Sequence, residues 1–208
     1  MARRGSYAKG IAKREEILSR ALEVIAREGY RGASVKELAE AVGLSQAGLL
    51  HYFDSKEELF TEILRKRDEV DVEMFGTAPD DAAIEPGELR AGYLRVIRHN
   101  AEVPGLVQLF ARMNVDAVDD AHPGHDFFRT RGEGLRDAFS AELAAMQAAG
   151  ELTDRVDADT LARIFQAVAD GLQVQWMLDP AVDMAGIVAQ LFDALRPASA
   201  PLPHATEG

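Results

Sequence analysis

Apolar residues recur every three or four positions along most of the chain, which is the pattern of amphipathic helices. The first stripe, which includes Ile17 and Ile25, predicts a helix over residues 11–28 that is capped by Gly29. Capping boxes at Ser34 and Ser55 predict two further helix starts, over residues 35–42 and from residue 55 to about 74. Between them, Ser45 is expected to cap a short helix that ends at residue 51 or 53.

Five longer amphipathic segments follow a connection rich in proline and aspartate at residues 77–81. No alternating pattern typical of strands is present, so we expect an all-α fold of about nine helices. The five segments cover residues 88–102, 105–119, 123–149, 157–178 and 183–195. We predict a first domain at residues 12–72, a second at 76–196, and a disordered tail at 197–208, which has three prolines among small residues.

The composition is that of a globular protein, with 47% hydrophobic and 28% charged residues among 208. The absence of cysteine excludes a disulfide framework, a thiolate zinc site and a cysteine nucleophile. No apolar run approaches the roughly 18 residues that a membrane span needs, and charged residues interrupt any export signal. We therefore expect no membrane partner and a cytoplasmic location.

Charge is distributed unevenly along the chain, whose formal net charge is −12. Residues 1–67 contain 13 Lys/Arg and 10 Asp/Glu, whereas residues 68–208 contain 10 and 25. A mildly basic first third thus precedes a strongly acidic body. If the protein binds a polyanion, we expect it to do so with this first third.

Catalytic and cofactor motifs are missing from the sequence. There is no glycine-rich phosphate loop, no Gly-x-Ser-x-Gly elbow and no His/Asp/Glu set with metal-ligand spacing. His122 and His125 lie on a Pro-Gly turn without a third ligand at fixed spacing, so we expect a surface loop and no metal site. We expect neither an enzyme nor a cofactor.

Residues 35–54 have the spacing of a helix-turn-helix unit. Leu38, Val42, Leu44, Leu49 and Tyr52 supply apolar contacts at the positions where two short helices pack across a sharp turn. A small residue lies at the expected crossing and a glycine at the expected turn, at Ala39 and Gly43. The spacing alone leaves open a helical hairpin that only packs and binds no DNA.

The residues around this unit favour a DNA-binding helix-turn-helix over a hairpin that only packs. Residues 34–45, Ser-Val-Lys-Glu-Leu-Ala-Glu-Ala-Val-Gly-Leu-Ser, and 51–59, His-Tyr-Phe-Asp-Ser-Lys-Glu-Glu-Leu, closely resemble the TetR-type family of bacterial transcriptional regulators. The resemblance covers about residues 12–72, a third of the chain. It implies an N-terminal DNA-binding head and a C-terminal domain for effector binding and dimerisation.

The resemblance also implies which residues touch double-stranded DNA. Ser34 and Lys56 match contacts to phosphates, and Gln46 is placed to pair with an adenine edge. The implied set is Arg14, Ser34, Ser45, Gln46, Ala47, Gly48, Leu50, His51, Tyr52 and Lys56. Phe53 is expected to close the head's core.

Two features leave the details of DNA contact open. The sequence departs from the family pattern at Ala47-Gly48 and at Leu50, which puts the base preference in doubt. The second feature is a basic N-terminus, which either reaches the adjacent groove or backbone or remains a solvated tail. Its residues are Arg3, Arg4, Lys9, Lys13 and Arg14.

A short recognition helix contacts few bases, so specificity requires two copies in successive major grooves, about 34–36 Å apart. We therefore expect a homodimer on a palindromic operator. The resemblance places the dimer seam on the last two helices, and we expect it to include Leu161, Phe165, Val168, Leu172, Ile187, Leu191 and Leu195. The same stripes are equally compatible with the core of a single subunit.

An unknown small-molecule effector is expected among the middle helices, because Met and aromatic side chains form adaptable apolar cavities. The candidates are Tyr93, Phe110, Met113, Asn114, Phe128, Phe139, Met146, Gln173 and Trp176, with Asn114 and Gln173 as orienting polar groups. Most such residues in proteins belong simply to the core. The acidity of the body favours a cationic or neutral effector over an anionic one.

Together these features predict a one-component transcriptional regulator. We expect a repressor that leaves its operator when the effector binds the DNA-incompetent state more tightly. The alternative is a ligand-independent DNA-binding or architectural protein that recruits a protein partner.

Overall fold

The structure is a computed structural model that describes residues 2–29, 33–75 and 88–197, with side chains for residues 9–29, 33–72 and 89–197. In these ranges the chain is all-α, as predicted. The helices are α1 (Ala2–Glu28), α2 (Val35–Ala41), α3 (Gln46–Leu50), α4 (Lys56–Phe75), α5 (Glu88–Glu102), α6 (Pro104–Asp116), α7 (His125–Ala148), α8 (Ala158–Leu178) and α9 (Met184–Ala194). The connection predicted at residues 77–81 and most of the tail predicted from residue 197 lie outside the described residues.

The start of α1 differs most from the sequence prediction. The helix begins at Ala2, whereas the apolar stripe predicted a start at residue 11. That prediction was wrong because periodicity marks only the part of a helix that is buried. Of residues 2–10, five are alanine, arginine or lysine, which have high helix propensity, and two are glycine, which lowers it.

Capping interactions determine where the helices of the head begin and end. The Glu37 N–H donates to Ser34 Oγ at 3.3 Å and the Ser34 N–H donates to Glu37 Oε2 at 2.8 Å, which is the predicted capping box. These hydrogen bonds to Ser34 lower the pKa of Glu37. Gly29 and Gly43 follow α1 and α2 with φ of 78° and 70°, in the left-handed region that glycine adopts without steric cost.

The head's core confirms the contacts predicted for the helix-turn-helix unit. Leu38 of α2 and Leu49 of α3 are buried in one apolar cluster. Val42, Leu44 and Tyr52 are half-buried and pack against the same cluster. The two short helices therefore hold each other through side chains that alternate between core and surface at helical spacing.

The apolar core of the head continues into the body. Leu106, Leu109 and Phe110 of α6 and Phe127 of α7 are buried in the same cluster as the apolar residues of α1 to α4. Helix α6 packs against both α1 and α4. The head and the body therefore share apolar contacts, and the domain boundary at residues 72–76 stays a prediction.

Helices α1 and α6 approach each other most closely at Gly105. A Cβ atom on Gly105 would lie 2.2 Å from the Ile25 carbonyl oxygen and 2.7 Å from the Gly29 Cα atom. Both are backbone atoms, which cannot swing aside as the end of a side chain can. Only glycine therefore permits this crossing, which joins the end of α1 to the start of α6.

Helix α4 is also fixed to the body by buried charges. Arg67 is only 6% exposed, and its Nη2 donates to Asn100 Oδ1 of α5 at 2.6 Å. Burial lowers the pKa of Arg67, while the nearby Asp71 carboxylate opposes this shift. On the other side, Arg131 of α7 donates to both oxygens of Asp68, at 2.6 and 3.1 Å. Bidentate pairs of this kind fix orientation as well as distance.

A second apolar cluster holds the body together. It is built on α5, α8 and α9 with part of α7, and Phe165 and Phe192 lie at its centre with ring centroids 4.3 Å apart. Tyr93 adds an edge-on contact to both rings and donates its hydroxyl to the Phe165 carbonyl oxygen at 3.1 Å. Burial raises the pKa of this hydroxyl, and the Asp170 carboxylate raises it further.

Three residues of the predicted dimer seam are buried within the single chain. Leu161, Phe165 and Leu172 are 1%, 0% and 6% exposed, because they face α5, α7 and α9 of the same chain. Side chains that are already buried have no apolar surface left for a partner. These three residues lie in the core of a single subunit, which is the alternative that the sequence left open.

The remaining members of that set lie nearer the surface. Ile187 is exposed, whereas Val168, Leu191 and Leu195 are half-buried at the edge of the second cluster. A different stripe of α8 faces solvent in the single chain. It consists of Ile164, Val174 and Leu178, which are 40%, 47% and 83% exposed, with Gly171 between them.

A membrane-spanning helix must be both long and apolar. Within residues 2–29, 33–75 and 88–197, no helix combines enough length and apolarity to cross a bilayer.

The Gly105 crossing leads to a stability prediction. Gly105→Ala is expected to lower the free energy of unfolding by about 1–3 kcal/mol or more, because the added methyl group overlaps backbone atoms. Gly134→Ala is the matched control, since Gly134 lies within α7 and its Cβ would meet no atom within 4 Å. It is expected to raise stability by about 0.5–1 kcal/mol. Urea denaturation measures both, and equal effects of the two changes would contradict the close crossing.

Candidate nucleic-acid interface

The starts of α2, α3 and α4 meet on one side of the head. They enclose a crevice of about 420 Å³ lined by Ala33, Ser34, Val35, Lys36, Gln46, Lys56 and Phe60. The structure therefore brings together Ser34, Gln46 and Lys56, three of the residues that the sequence predicted to touch DNA. It also adds Lys36, which the sequence analysis did not select. Its position two residues after the Ser34 cap was the available signal.

The two cationic side chains of the crevice are exposed. Lys56 Nζ lies 5.5 Å from the centroid of the Phe60 ring, and no carboxylate of the described residues lies within ion-pair distance of it. Lys36 Nζ lies 3.8 Å from Glu40 Oε1, and both of these side chains are exposed, so this pair contributes little stability. Both lysines are thus available to a phosphate group.

The Ser45 hydroxyl caps the start of α3 and remains exposed at the surface of the head. The Gly48 N–H donates to Ser45 Oγ at 3.0 Å, and Ser45 is exposed. A hydroxyl that accepts one hydrogen bond still carries its own hydrogen, so Ser45 can donate to an outside oxygen. A Cβ on Gly48 would lie 3.2 Å from Ser45 Oγ, so a larger residue at this position would crowd the capping hydroxyl.

Helix α3 has only one face free for base edges. Gln46 and Ala47 are exposed, whereas Leu49 is fully buried. Leu50, which the sequence placed on the groove-facing side, is half-buried and packs against the head's core. Gln46 is therefore the side chain of α3 that combines exposure with paired donor and acceptor groups.

The residues after α3 divide between surface and core. His51 is exposed and Tyr52 half-buried, with their rings edge to face at a centroid distance of 6.0 Å. Phe53 is 3% exposed and closes the head's core, as predicted. His51 and Tyr52 thus extend the exposed surface of α3 toward α4.

Arg14 of α1 contacts the residues that follow α3 and the start of α4. Its Nη1 donates to the Tyr52 carbonyl oxygen at 2.5 Å and its Nη2 to Glu58 Oε1 at 3.0 Å. Its guanidinium also lies 3.4 Å from Glu62 Oε2 and 4.3 Å from the centroid of the Phe53 ring. Arg14 was predicted to touch DNA, and in this structure its charge is engaged by the protein. It positions the chain that follows α3.

The predicted effector residues do not form one group. Phe110, Met113 and Phe128 lie in or against the cluster shared by the head and α6. Tyr93, Phe139, Met146 and Trp176 lie against the second cluster. Asn114 and Gln173 are half-buried on α6 and α8. Asp170 of α8 lies near Tyr93, and burial raises the pKa of this carboxyl while the charge of Arg131 opposes that shift.

The two histidines considered as metal ligands are engaged locally. His122 Nδ1 accepts from the Gly124 N–H at 3.0 Å, and His125 Nδ1 lies 2.9 Å from the Ala117 carbonyl oxygen. In the part of the chain that the structure describes, no group of three metal-binding side chains comes together.

Comparison with known proteins gives two family matches. Residues 17–63 match the model of the "Bacterial regulatory proteins, tetR family", which covers α2, α3 and the crevice. Residues 120–197 match that of the "BetI-type transcriptional repressor, C-terminal", which covers α7 to α9.

Individual relatives agree with these matches. The HTH-type transcriptional regulator RutR of Escherichia coli (strain K12) is 42% identical over 55 residues, which is 26% of each chain. The chain thus spans about a quarter of that relative. The HTH-type transcriptional repressor AcnR of Corynebacterium jeikeium is 27% identical over 168 residues, covering 77% of this chain and 79% of AcnR.

A solved structure shares this fold over most of the chain. It is a transcriptional regulator from Saccharomonospora viridis in complex with choline, with a TM-score of 0.62, 22% identity, and coverage of 87% of this chain and 93% of that one. At this identity the likeness concerns the fold. The two family matches and the helix-turn-helix head together establish that the chain belongs to the TetR family of bacterial transcriptional regulators.

Proposed function

We propose that the protein is a homodimeric repressor that binds a palindromic operator and leaves it when a small molecule binds the body. The crevice at the starts of α2, α3 and α4 carries this proposal. It places Lys36 and Lys56 beside Ser34 and Gln46, so contacts to phosphates and to a base edge come from one surface. The name of the relative AcnR, which the alignment covers over most of its length, supports repression.

Dimerisation is supported by the exposed stripe of α8. Ile164, Gly171, Val174 and Leu178 follow one another at intervals of seven, three and four residues, which places them on one face of the helix. Ile187 on the neighbouring α9 is also exposed. Helices α8 and α9 pack together, and a second copy would bury these exposed apolar side chains. We propose this stripe as the seam in place of the buried residues predicted from the sequence.

Effector response is supported by the contacts that join α4 to helices of the body. Its first residue, Lys56, lines the crevice, while Arg67 and Asp68 in its second half are bound to α5 and α7. A ligand that changed the packing of α5, α7 or α8 would therefore shift α4 and the crevice with it. A population shift of this kind requires the ligand to bind the DNA-free arrangement more tightly.

The charge of the body favours a cationic effector over an anionic one, because residues 68–208 contain 10 Lys/Arg and 25 Asp/Glu. The structural neighbour from Saccharomonospora viridis was solved with choline, a small organic cation. We propose a small cationic effector, and choline is the first compound to test.

DNA binding is tested by selection from a random duplex pool and by anisotropy over a range of salt concentrations. Lys56→Ala is expected to weaken binding to all duplexes alike and to reduce the salt slope by about 0.9 for each phosphate that is no longer neutralised. Gln46→Ala is expected to relax the preference at one base pair by about 1–3 kcal/mol. Arg155→Ala, which removes an exposed cation from the body, is the control. Equal reductions in affinity for Lys56→Ala and Arg155→Ala would contradict the assigned interface.

The seam is tested by replacing an apolar residue with a charge. Val174→Asp is expected to convert a dimer to a monomer in sedimentation and to lower operator affinity at least tenfold, because a buried unpaired carboxylate is costly. Val118→Asp changes a residue that is 80% exposed and lies outside the stripe, and it is expected to leave the dimer intact. A dimer that survives Val174→Asp unchanged would refute this seam.

Release is tested with compounds that raise the melting temperature, beginning with choline. Each such compound is expected to weaken operator binding at least tenfold at saturation. Trp176→Ala is expected to reduce that release while leaving operator affinity without ligand unchanged, since Trp176 packs against the body's cluster and lies outside the head. A compound that binds the body at saturation and leaves operator affinity unaltered would overturn the ligand-responsive part of the proposal.

A further inference from the structure

Helix α4 belongs to the head in its first half and is bound to the body in its second half. Leu59 and Ile63 are fully buried in the head's core, together with buried residues of α1, α2 and α3. Arg67 and Asp68, one turn farther along, are bound to α5 and α7. The head therefore follows any change in the direction of α4, because its own core is packed on this helix.

The body holds α4 through two different helices at neighbouring residues. Arg67 Nη2 donates to Asn100 Oδ1 of α5 at 2.6 Å. Arg131 of α7 donates to Asp68 twice, from Nε to Oδ2 at 2.6 Å and from Nη2 to Oδ1 at 3.1 Å. The guanidinium of Arg131 also lies 4.9 Å from the centroid of the Phe110 ring of α6. Arg131 thus joins α4, α6 and α7 at one point.

The Asp68–Arg131 pair differs in kind from the apolar contacts between head and body. The hydrophobic effect is non-directional, whereas a bidentate ion pair fixes orientation as well as distance. The side chains of Arg131 and Asp68 are 24% and 27% exposed, so they are partly shielded from the water and salt that weaken surface pairs. This pair is therefore suited to fixing the angle between α4 and the body.

A small change in this angle is large on the scale of DNA. Lys56 and Asp68 are 12 residues apart in one helix, which is about 18 Å at 1.5 Å per residue. A tilt of about 10° about Asp68 would move Lys56, and the crevice with it, by about 3 Å. Successive base pairs are about 3.4 Å apart, so the angle of α4 decides to within about one base pair where a head meets its half-site.

We infer that Arg131 is the positioning residue that determines which separation of half-sites the dimer accepts. It acts through Asp68. With the pair formed, α4 is held at one angle to the body, and the two heads of a dimer lie at one separation. Without the pair, α4 samples a range of angles, and operators with shorter or longer spacers bind almost as well. The inference rests on the proposed function, since it concerns a homodimer on a palindromic operator.

The test compares two arginines of α7. Arg131→Gln removes the pair to α4. Arg129→Gln is the matched control, because Arg129 pairs with Asp126 and Glu133 of α7 itself, at 3.2 and 3.3 Å, and its loss changes the net charge equally. Each full-length protein is measured by anisotropy on the operator that the wild-type protein enriches from a random pool. It is also measured on two duplexes whose spacer is one base pair shorter or longer.

The measured quantity is the ratio of the affinity for the enriched operator to the affinity for each altered spacer. Arg131→Gln is expected to lower this ratio at least about threefold, since members of one ion-pair network are energetically coupled. Arg129→Gln is expected to keep the wild-type ratio. Partial unfolding would lower the affinity for all the duplexes alike, so a role in stability alone would leave the ratio unchanged.

Variants of the partner residue identify the contact through which Arg131 acts. Asp68→Asn is expected to lower the ratio as Arg131→Gln does, and the double variant is expected to lower it no further, because both changes remove the same pair. Arg131→Lys keeps the charge and loses the two parallel donors, so it supplies the same comparison if Arg131→Gln does not fold.

An unchanged ratio in Arg131→Gln would overturn the inference while leaving the proposed function intact, and so would an equal loss in Arg129→Gln. Additive losses in the double variant would also overturn it, because Arg131 would then not act through Asp68. Failure of the wild-type protein to enrich a palindrome would overturn the proposed function, and this inference with it.

Discussion

The close crossing of α1 and α6 at Gly105 is the constraint on which the rest of the molecule depends. It brings the apolar residues of α6 into the head's core, so the head is supported by the body through shared packing. Arg67 and Arg131 add polar links from α4 to α5 and α7. Packed side chains and paired charges therefore connect the body to the head.

The candidate DNA interface shows how an acidic protein can approach a polyanion. Its net charge is −12, but the acidic excess lies in the body, and the crevice of the head displays Lys36 and Lys56. Attraction to DNA is a local property because salt screens charges beyond about 8–10 Å. Further basic residues, Lys9, Lys13 and Arg14, lie in the N-terminal half of α1.

Helix α8 carries two apolar faces, one buried and one exposed, which the sequence pattern does not distinguish. On α8, Phe165 and Leu172 face the chain's own core, while Ile164, Val174 and Leu178 face outward. Both sets recur at helical spacing, so apolar periodicity alone does not separate them. The aromatic residues proposed to bind an effector are likewise divided between two clusters.

Local chemistry determined much of this protein. Ser34, Glu37, Gly29 and Gly43 act through hydrogen bonds and backbone angles within a few residues, so the sequence alone was sufficient to predict the ends of these helices. The helix-turn-helix unit followed from local spacing, whereas Ser34, Gln46 and Lys56 were selected because of the family resemblance.

Only the tertiary structure decided which face of α8 is free, that Leu50 packs against the core, and that Arg14 is engaged by Glu58. It also decided that α1 begins at Ala2. Each of these depends on contacts between residues far apart in the chain, and apolar periodicity reports that a side chain is buried without reporting what buries it.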